Sequence, residues 1–369
     1  DQNYIASPNA AADRALLDVV DLHLYGDHPE YPGRPWQPPA RFGNRSQLSR
    51  RLKAPLELAP ARLFGKPFMV TEFDICYPNE FRSEGAVLFG AFAAQQGWSG
   101  LFRFDYAGHH RGLFGKPDLR CFETAHDPVR MLSERIGLAA FLRGDVATAR
   151  EKFEIAVAAD CMESYCPTYP EEYEQLALHG RVGTVLADAN AGPAAPGPVR
   201  PGELAADYAA GTFRMVTPRS EAAVLPEKQA LAGAVLRVRA ERSFATVAAI
   251  ALDDRPLAES DRILLLHLTD NRQEGMEFKS GHGLTVYRDG SGRMLGRKGT
   301  ASFALALPEK PWKLYALDCS GRRLAEIPFR REQGELRFTA DTFQVPDQVV
   351  FAYELTAQRR RNSARPVTR

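Results

Sequence analysis

Gly65-Lys66-Pro67-Phe68-Met69-Val70-Thr71-Glu72-Phe73 is the stretch on which the reading of this fold turns. Gly65 and Pro67 are turn signals, and a short apolar run, Phe68-Met69-Val70, separates them from a carboxylate. Such runs, with a β-branched residue and turn signals nearby, read as buried strands of a parallel sheet. In a barrel of parallel strands, chemistry gathers at the carboxyl ends of the strands. Glu72 is therefore a candidate catalytic carboxylate. The plain alternative is a surface Glu just past a strand.

Two flanking segments have the same shape. Leu16 to Tyr25 is an apolar run ending in His23-Leu24-Tyr25, followed by the turn-rich Gly26-Asp27-His28-Pro29. Gly97 to Tyr106 ends in Asp105-Tyr106 and leads into a loop with His109 and His110. Between Glu72 and that last run, Val87, Leu88, Phe89, Ala91 and Phe92 recur at helical spacing within residues 84–96. Strand, helix, strand is a βα repeat. A barrel of roughly 250 residues in eight units allots about 31 residues to each, and the interval from Glu72 to Asp105 fits. The longer interval from Tyr25 to Glu72 holds a Pro- and Arg-rich insertion.

These strand ends together resemble the last strands of a retaining glycoside hydrolase barrel of clan A, the group containing many cellulases, mannanases and β-galactosidases. The matching pieces are Asp21-Leu22-His23-Leu24-Tyr25 with Asp27-His28-Pro29, then Lys66 to Glu72, then Gln96-Gly97-Trp98. The run from Asp127-Pro128-Val129-Arg130 to Val146 resembles the closing helix in bacterial relatives. The resemblance covers residues 1–146. It implies the second half of a (β/α)8 barrel, about strands five to eight, with Glu72 as the nucleophile ending strand seven. It also implies that the acid/base is the Glu of an Asn-Glu pair after strand four. Asn79-Glu80 is such a pair but lies in the loop after Glu72. The expectation is thus that strands one to four, and the acid/base with them, lie outside this chain, leaving it inactive by itself.

Side chains alternate along a strand, so His23 and Tyr25 share one face. If that face is the barrel mouth, Tyr25 can donate to Glu72 and keep it ionised, while His23 contacts a sugar hydroxyl or serves the structure. Asp27, His28, Asp105, Tyr106 and His109 belong to the loops of the same end and are candidate substrate contacts. Trp36, in the Pro-rich loop, is a candidate stacking platform, since an aromatic face suits the C–H face of a pyranose. Trp98 precedes its strand and suits core packing.

Composition narrows the classes. A chain of 369 residues with net charge +1 shows no bias towards nucleic acid or a membrane surface. No apolar run approaches the eighteen or so residues of a membrane span. Five cysteines are an odd number at scattered spacing, which is no disulfide framework. Cys161 and Cys166 read as free or loosely paired thiols, because no Cys-x-x-Cys or His pattern suggests zinc. Neither metal nor cofactor is expected. The start, Asp1-Gln2-Asn3-Tyr4, is neither an initiator Met nor a signal peptide. Localisation is therefore not legible, although the resemblance suits an extracellular or periplasmic protein.

Beyond residue 146 the pattern changes. Residues 147–210 read as a connecting α/β segment, with a strand over Glu151–Ala158, a helix over Tyr169–Leu186, and a Pro/Gly/Ala-rich linker over Ala191–Gly202. From 211 to 357, short β-prone runs separated by turn residues predict an antiparallel β-sandwich. Residues 358–369 are a basic tail. The fold class expected is α/β followed by all-β. Two functions stay open: a retaining glycoside hydrolase acting on an oligo- or polysaccharide, or a non-catalytic carbohydrate-binding or structural protein on a degenerate barrel.

Overall fold

The computed structural model describes residues 2–3, 6–116, 118–158, 168–196 and 202–357. Its first half carries the strands β1 (Gln2–Asn3), β2 (Val20–Asp27), β3 (Ala40–Phe42), β4 (Phe68–Ile75) and β5 (Gly100–Arg103). β1, β2, β4 and β5 lie side by side in that order, all parallel. Leu22 stands opposite Val70, but His23 stands opposite Glu72, so Thr71 is an extra residue where the register slips. A slip of this kind re-aims the side chains beyond it. It is what turns Glu72 towards the His23 side of its neighbour.

The expected helix is present over Glu84–Gln96, and only Gln95 in it is not buried. A helix apolar on every side must be covered on every side. On one flank Phe89 stacks on Phe73 of β4, with ring centroids 4.5 Å apart. On the other, Phe92 meets Phe213 of the second half at 5.9 Å. A second helix, Pro128–Ala140, is capped by Asp127 and starts on a proline, the arrangement expected of a strong helix start. The two helices touch at glycines: a Cβ on Gly90 would lie 2.7 Å from the Gly137 Cα.

The second half holds an eight-stranded and a five-stranded sheet, each antiparallel throughout. They enclose a common core that includes Val238, Phe303 and Phe338 from one sheet and Val247, Leu265 and Leu355 from the other. In the five-stranded sheet, Leu236–Arg242 alternates buried and exposed residues, with Arg237 and Arg239 outward. Ala245–Ala251, in the larger sheet, is buried at every position, because its far face covers the helices of the first half. The order of layers is parallel sheet, helices, large sheet, small sheet. Ala245–Ala251 and Arg262–Leu268 are strands, as expected.

Some expectations are corrected. Tyr169–Leu186 is not one helix. A short helix, Glu171–Gln175, and a 3-10 turn give way to a strand, Arg181–Ala187, that pairs in parallel with Lys152–Ala158. Val182, Thr184 and Val185 are β-branched and follow Gly180, which favours strand over helix continuation. The large sheet also begins before residue 211, at Leu204–Asp207. Residues 191–196 are mostly exposed. The remainder of the predicted linker's centre, together with Cys161, Cys166 and the basic tail, lies outside the described residues.

A buried ionic chain joins the two halves. Arg82, fully buried, donates to Asp127 at 2.6 Å, to Asp270 at 2.5 Å and to Asn271 Oδ1 at 2.8 Å. Arg130, also fully buried, donates to Asp127 at 3.0 Å and to Asp74 at 2.7 Å. Burial opposes ionisation of Asp127, but the Arg82 and Arg130 guanidiniums outweigh it and hold its carboxyl below the usual range. Removing one partner of such a group leaves an uncompensated buried charge.

Arg82→Met should destabilise the fold by about 3–5 kcal/mol in chemical denaturation, and adding Asp127→Asn and Asp270→Asn should recover part of the loss. Glu84 is buried at a helix start, and desolvation pushes its carboxyl up to about 8, although Gln47 N and Ser46 Oγ donate to it. The unfolded chain ionises this group near its ordinary value, whereas the folded chain keeps its proton until higher pH. Its contribution to stability is therefore full below pH 4.5 and is lost as pH rises from 4.5 to about 8. Glu84→Gln should abolish that fall, so its advantage over the native chain should widen across the window, by an amount on the order of a few kcal/mol. Thermal unfolding at several pH values checks this.

Candidate active site

Glu72 sits in the carboxyl-terminal half of β4, three residues before its last, with its side chain 29% exposed. The Tyr25 hydroxyl donates to Glu72 Oε2 at 2.5 Å. His23 Nδ1 lies 3.3 Å from the same oxygen, and His23 Nε2 lies 3.0 Å from Thr71 Oγ1. The Thr71 hydroxyl in turn donates to Asp21 at 2.6 Å. The extra residue of the register slip is thus used: Thr71 anchors the imidazole that flanks Glu72. A carboxylate held by a phenol and an imidazole, yet open to solvent, is fixed in direction and still reachable. That is what a nucleophile or an electrostatic stabiliser requires.

Aromatic rings surround Tyr25. Phe104 and Phe122 meet it edge-on at 6.4 and 5.4 Å, and the His28 ring lies at 5.3 Å. Phe104 and Phe122 also line a cavity of about 720 Å³ together with Tyr31, Trp36 and Asp105. Tyr25 packs against those two phenylalanines, and neither Tyr25 nor Glu72 lines the cavity wall itself. Trp36 is 65% exposed, with φ at 61°, a left-handed conformation that costs energy for a bulky residue. Its ring meets Tyr31 at 5.5 Å and Phe122 at 6.1 Å. The far wall comes from the second half. The hairpin Glu277–Ser280 and Leu284–Arg288 adds its second strand to β3, with Leu284 opposite Phe42. Met276, Val286 and Asp289 then complete the enclosure.

Arg130 shapes the loop that carries Phe122. Its guanidinium donates to the carbonyls of Arg120 at 3.0 Å, Cys121 at 3.0 Å, Phe122 at 2.9 Å and Glu123 at 2.5 Å. A loop whose carbonyls converge on one buried cation has little freedom to move. Asp105 lies in the same corner, where its backbone N–H donates to Phe122 O at 3.2 Å. Burial, and next the charge of Glu123, raise the Asp105 carboxyl above its ordinary range.

The residues expected at the site separate into groups. His23 and Tyr25 converge on Glu72, His28 packs beside Tyr25, and Trp36 and Asp105 line the cavity. Asp27 does not face a substrate. It is buried and accepts from Gly43 N at 2.9 Å, Asn44 N at 2.8 Å and Asn79 Nδ2 at 2.7 Å, so its lone pairs serve the loops. Tyr106 is largely exposed, and His109 reaches Glu123 at 3.7 Å while staying 59% exposed. Glu80 is a loop residue in ion pairs with Arg272 at 2.8 Å and Arg297 at 2.9 Å. Trp98 is buried against Phe68.

Several contributors escaped the sequence reading: Phe104, Phe122 and Glu123, the hairpin residues Met276, Val286 and Asp289, and Arg130 as organiser. Asp127-Pro128 did mark a helix start, which put Arg130 on its first turn. Nothing local, however, says that a guanidinium there faces inwards. Among the described residues no group of His, Cys, Asp and Glu is arranged to hold a metal ion, and no helix is long and apolar enough to cross a membrane. Comparison of the chain with family models, with characterised proteins and with solved structures finds no match to any of them.

Proposed function

We propose that this chain carries the nucleophile-bearing part of a retaining glycoside hydrolase that acts on β-glycosidic bonds of an oligo- or polysaccharide. The observation that carries this reading is the grip of Tyr25 and His23 on Glu72, in the carboxyl-terminal half of a parallel strand and beside an aromatic cavity. In this reading β1, β2, β4 and β5 correspond to strands five to eight of a (β/α)8 barrel, whose functional end is the carboxyl end. Glu72 attacks the anomeric carbon as the bond to the aglycone oxygen breaks, giving a glycosyl ester and a leaving alcohol that an acid protonates; water then cleaves the ester, adding its hydroxyl to the sugar and regenerating the carboxylate. The Tyr25 hydroxyl holds the carboxylate aimed until the bond forms. Trp36 gives a pyranose ring a face to stack on.

A retaining mechanism also needs an acid about 5–5.5 Å from the nucleophile. Asp27 and Glu80 are committed to protein partners, so neither is assigned that part. Acid assistance is typically worth about 10²–10⁴-fold, and the chain alone should turn over ordinary glycosides poorly for want of it. The nucleophile can be tested without the acid. A 2-deoxy-2-fluoroglycoside with a dinitrophenolate leaving group needs no protonation to react, and its glycosyl adduct is long-lived.

Incubated with gluco-, galacto- and manno-configured reagents of this type, the chain should acquire one sugar on the peptide containing Glu72, read by mass spectrometry. Glu72→Gln should acquire none. Absence of an adduct with all the reagents, or an adduct on another residue, would overturn the assignment in favour of a protein that binds glycan without cutting it. Tyr25→Phe should slow adduct formation by about 10- to 100-fold, the worth of a hydrogen bond to a charged group, with an unchanged melting temperature.

A further inference from the structure

We infer that the aromatic cavity beside Glu72 selects a sugar carrying a free, protonated amine. This rests on the reading above that the cavity receives a glycan, and goes beyond it by naming the chemical class. The cavity wall carries the carboxylates of Asp105, Asp118, Glu123 and Asp289 against the cations Lys116 and Arg120. Arg120 is engaged with Asp118 at 2.7 Å. What remains is an excess of negative charge around rings.

Individual groups bear out that imbalance. Asp105 Oδ1 is buried and has no hydrogen-bond partner. A Cβ placed on Gly108 would lie 3.4 Å from Asp105 Oδ2 and 3.5 Å from Glu123 Oε1, so both carboxylates border one small space. Burial raises the Asp289 carboxyl, with Arg120 opposing and Asp118 adding to the effect. In both, burial is the first cause, and a carboxyl short of solvent gains from a cation placed beside it.

An ammonium supplies what is missing. It donates to a carboxylate in charge-assisted hydrogen bonds, and it is attracted to the faces of Trp36, Tyr31 and Phe122 while the pyranose ring stacks. A neutral sugar keeps the stacking and loses the charge term. An N-acetylated sugar exchanges the ammonium for an amide, and an acidic sugar meets repulsion. The exposed Trp36 at the mouth suits a ligand that arrives from solvent and brings its own cation.

The test is calorimetric titration of the chain at pH 6 with three β-1,4-linked tetramers: glucosamine, N-acetylglucosamine and glucose. The glucosamine tetramer should bind at least about tenfold more tightly than either other, and the preference should shrink as salt is raised. Asp105→Asn and Asp289→Asn, made separately so that a folding defect in one leaves the other, should each narrow the preference. Equal or tighter binding of a neutral tetramer, no binding of any, or a preference unmoved by both variants would overturn the inference. The two proposals fail separately. A Glu72 adduct without amine preference sinks only this one, whereas amine preference without an adduct leaves a cationic-glycan binder that is not a glycosidase.

Discussion

The contact on which most else depends is the buried pairing of Arg82 and Arg130 on the carboxylate of Asp127. Asp127 caps the helix Pro128–Ala140, Arg82 leaves the loop just beyond β4 and reaches Asp270 in the second half, and Arg130 reaches Asp74 within β4 itself. One carboxylate therefore ties a helix start, the strand that bears Glu72 and the antiparallel sheets. Ions so deep gain little net stability over an apolar packing of equal volume. Their directional bonds instead set where the loops lie. The loop carbonyls that Arg130 gathers belong to the segment presenting Phe122 and Glu123 to the cavity.

The same economy of polar groups explains which acids stay available. Asp27 has its oxygens filled by loop amides and Asn79, and Glu80 is held between two arginines of the second half. Each resembles a site acid in sequence and acts as a clasp in space. Glu72 differs in having as neighbours one hydroxyl and one imidazole, with part of its side chain open to solvent. Asp105 differs in the opposite sense, with an oxygen left without a partner.

Legibility in the sequence followed the range of the interactions. The strand bearing Glu72, the helix after it and the β-rich second half were readable because burial on a strand or helix face leaves a short-period pattern, although that strand runs on past Glu72 to Ile75. The approach of Tyr25 to Glu72 was readable for the same reason, since neighbouring parallel strands align their ends. Residues 169–186 misled because Tyr173, Leu176 and Leu178 do suit a helix, but Gly180 and the β-branched residues after it belong to another element. The cavity was not readable. Its walls come from residues such as Trp36, Phe122 and Val286, far apart in the chain and brought together by ring contacts, the Arg130 bonds and the strand pairing of 284–286 with β3, none of which leaves a periodic trace.

The pairing of the hairpin 277–288 with β3 bears on how such a protein can change. A strand exchange of this kind makes the binding recess a joint product of two regions that domain shuffling would otherwise trade freely. Neither region can be swapped for a relative's without also matching backbone register across Ala40–Phe42 and Leu284–Arg288. Change in ligand preference is thereby channelled into paired substitutions across that seam, and the seam is where covariation between the halves should concentrate.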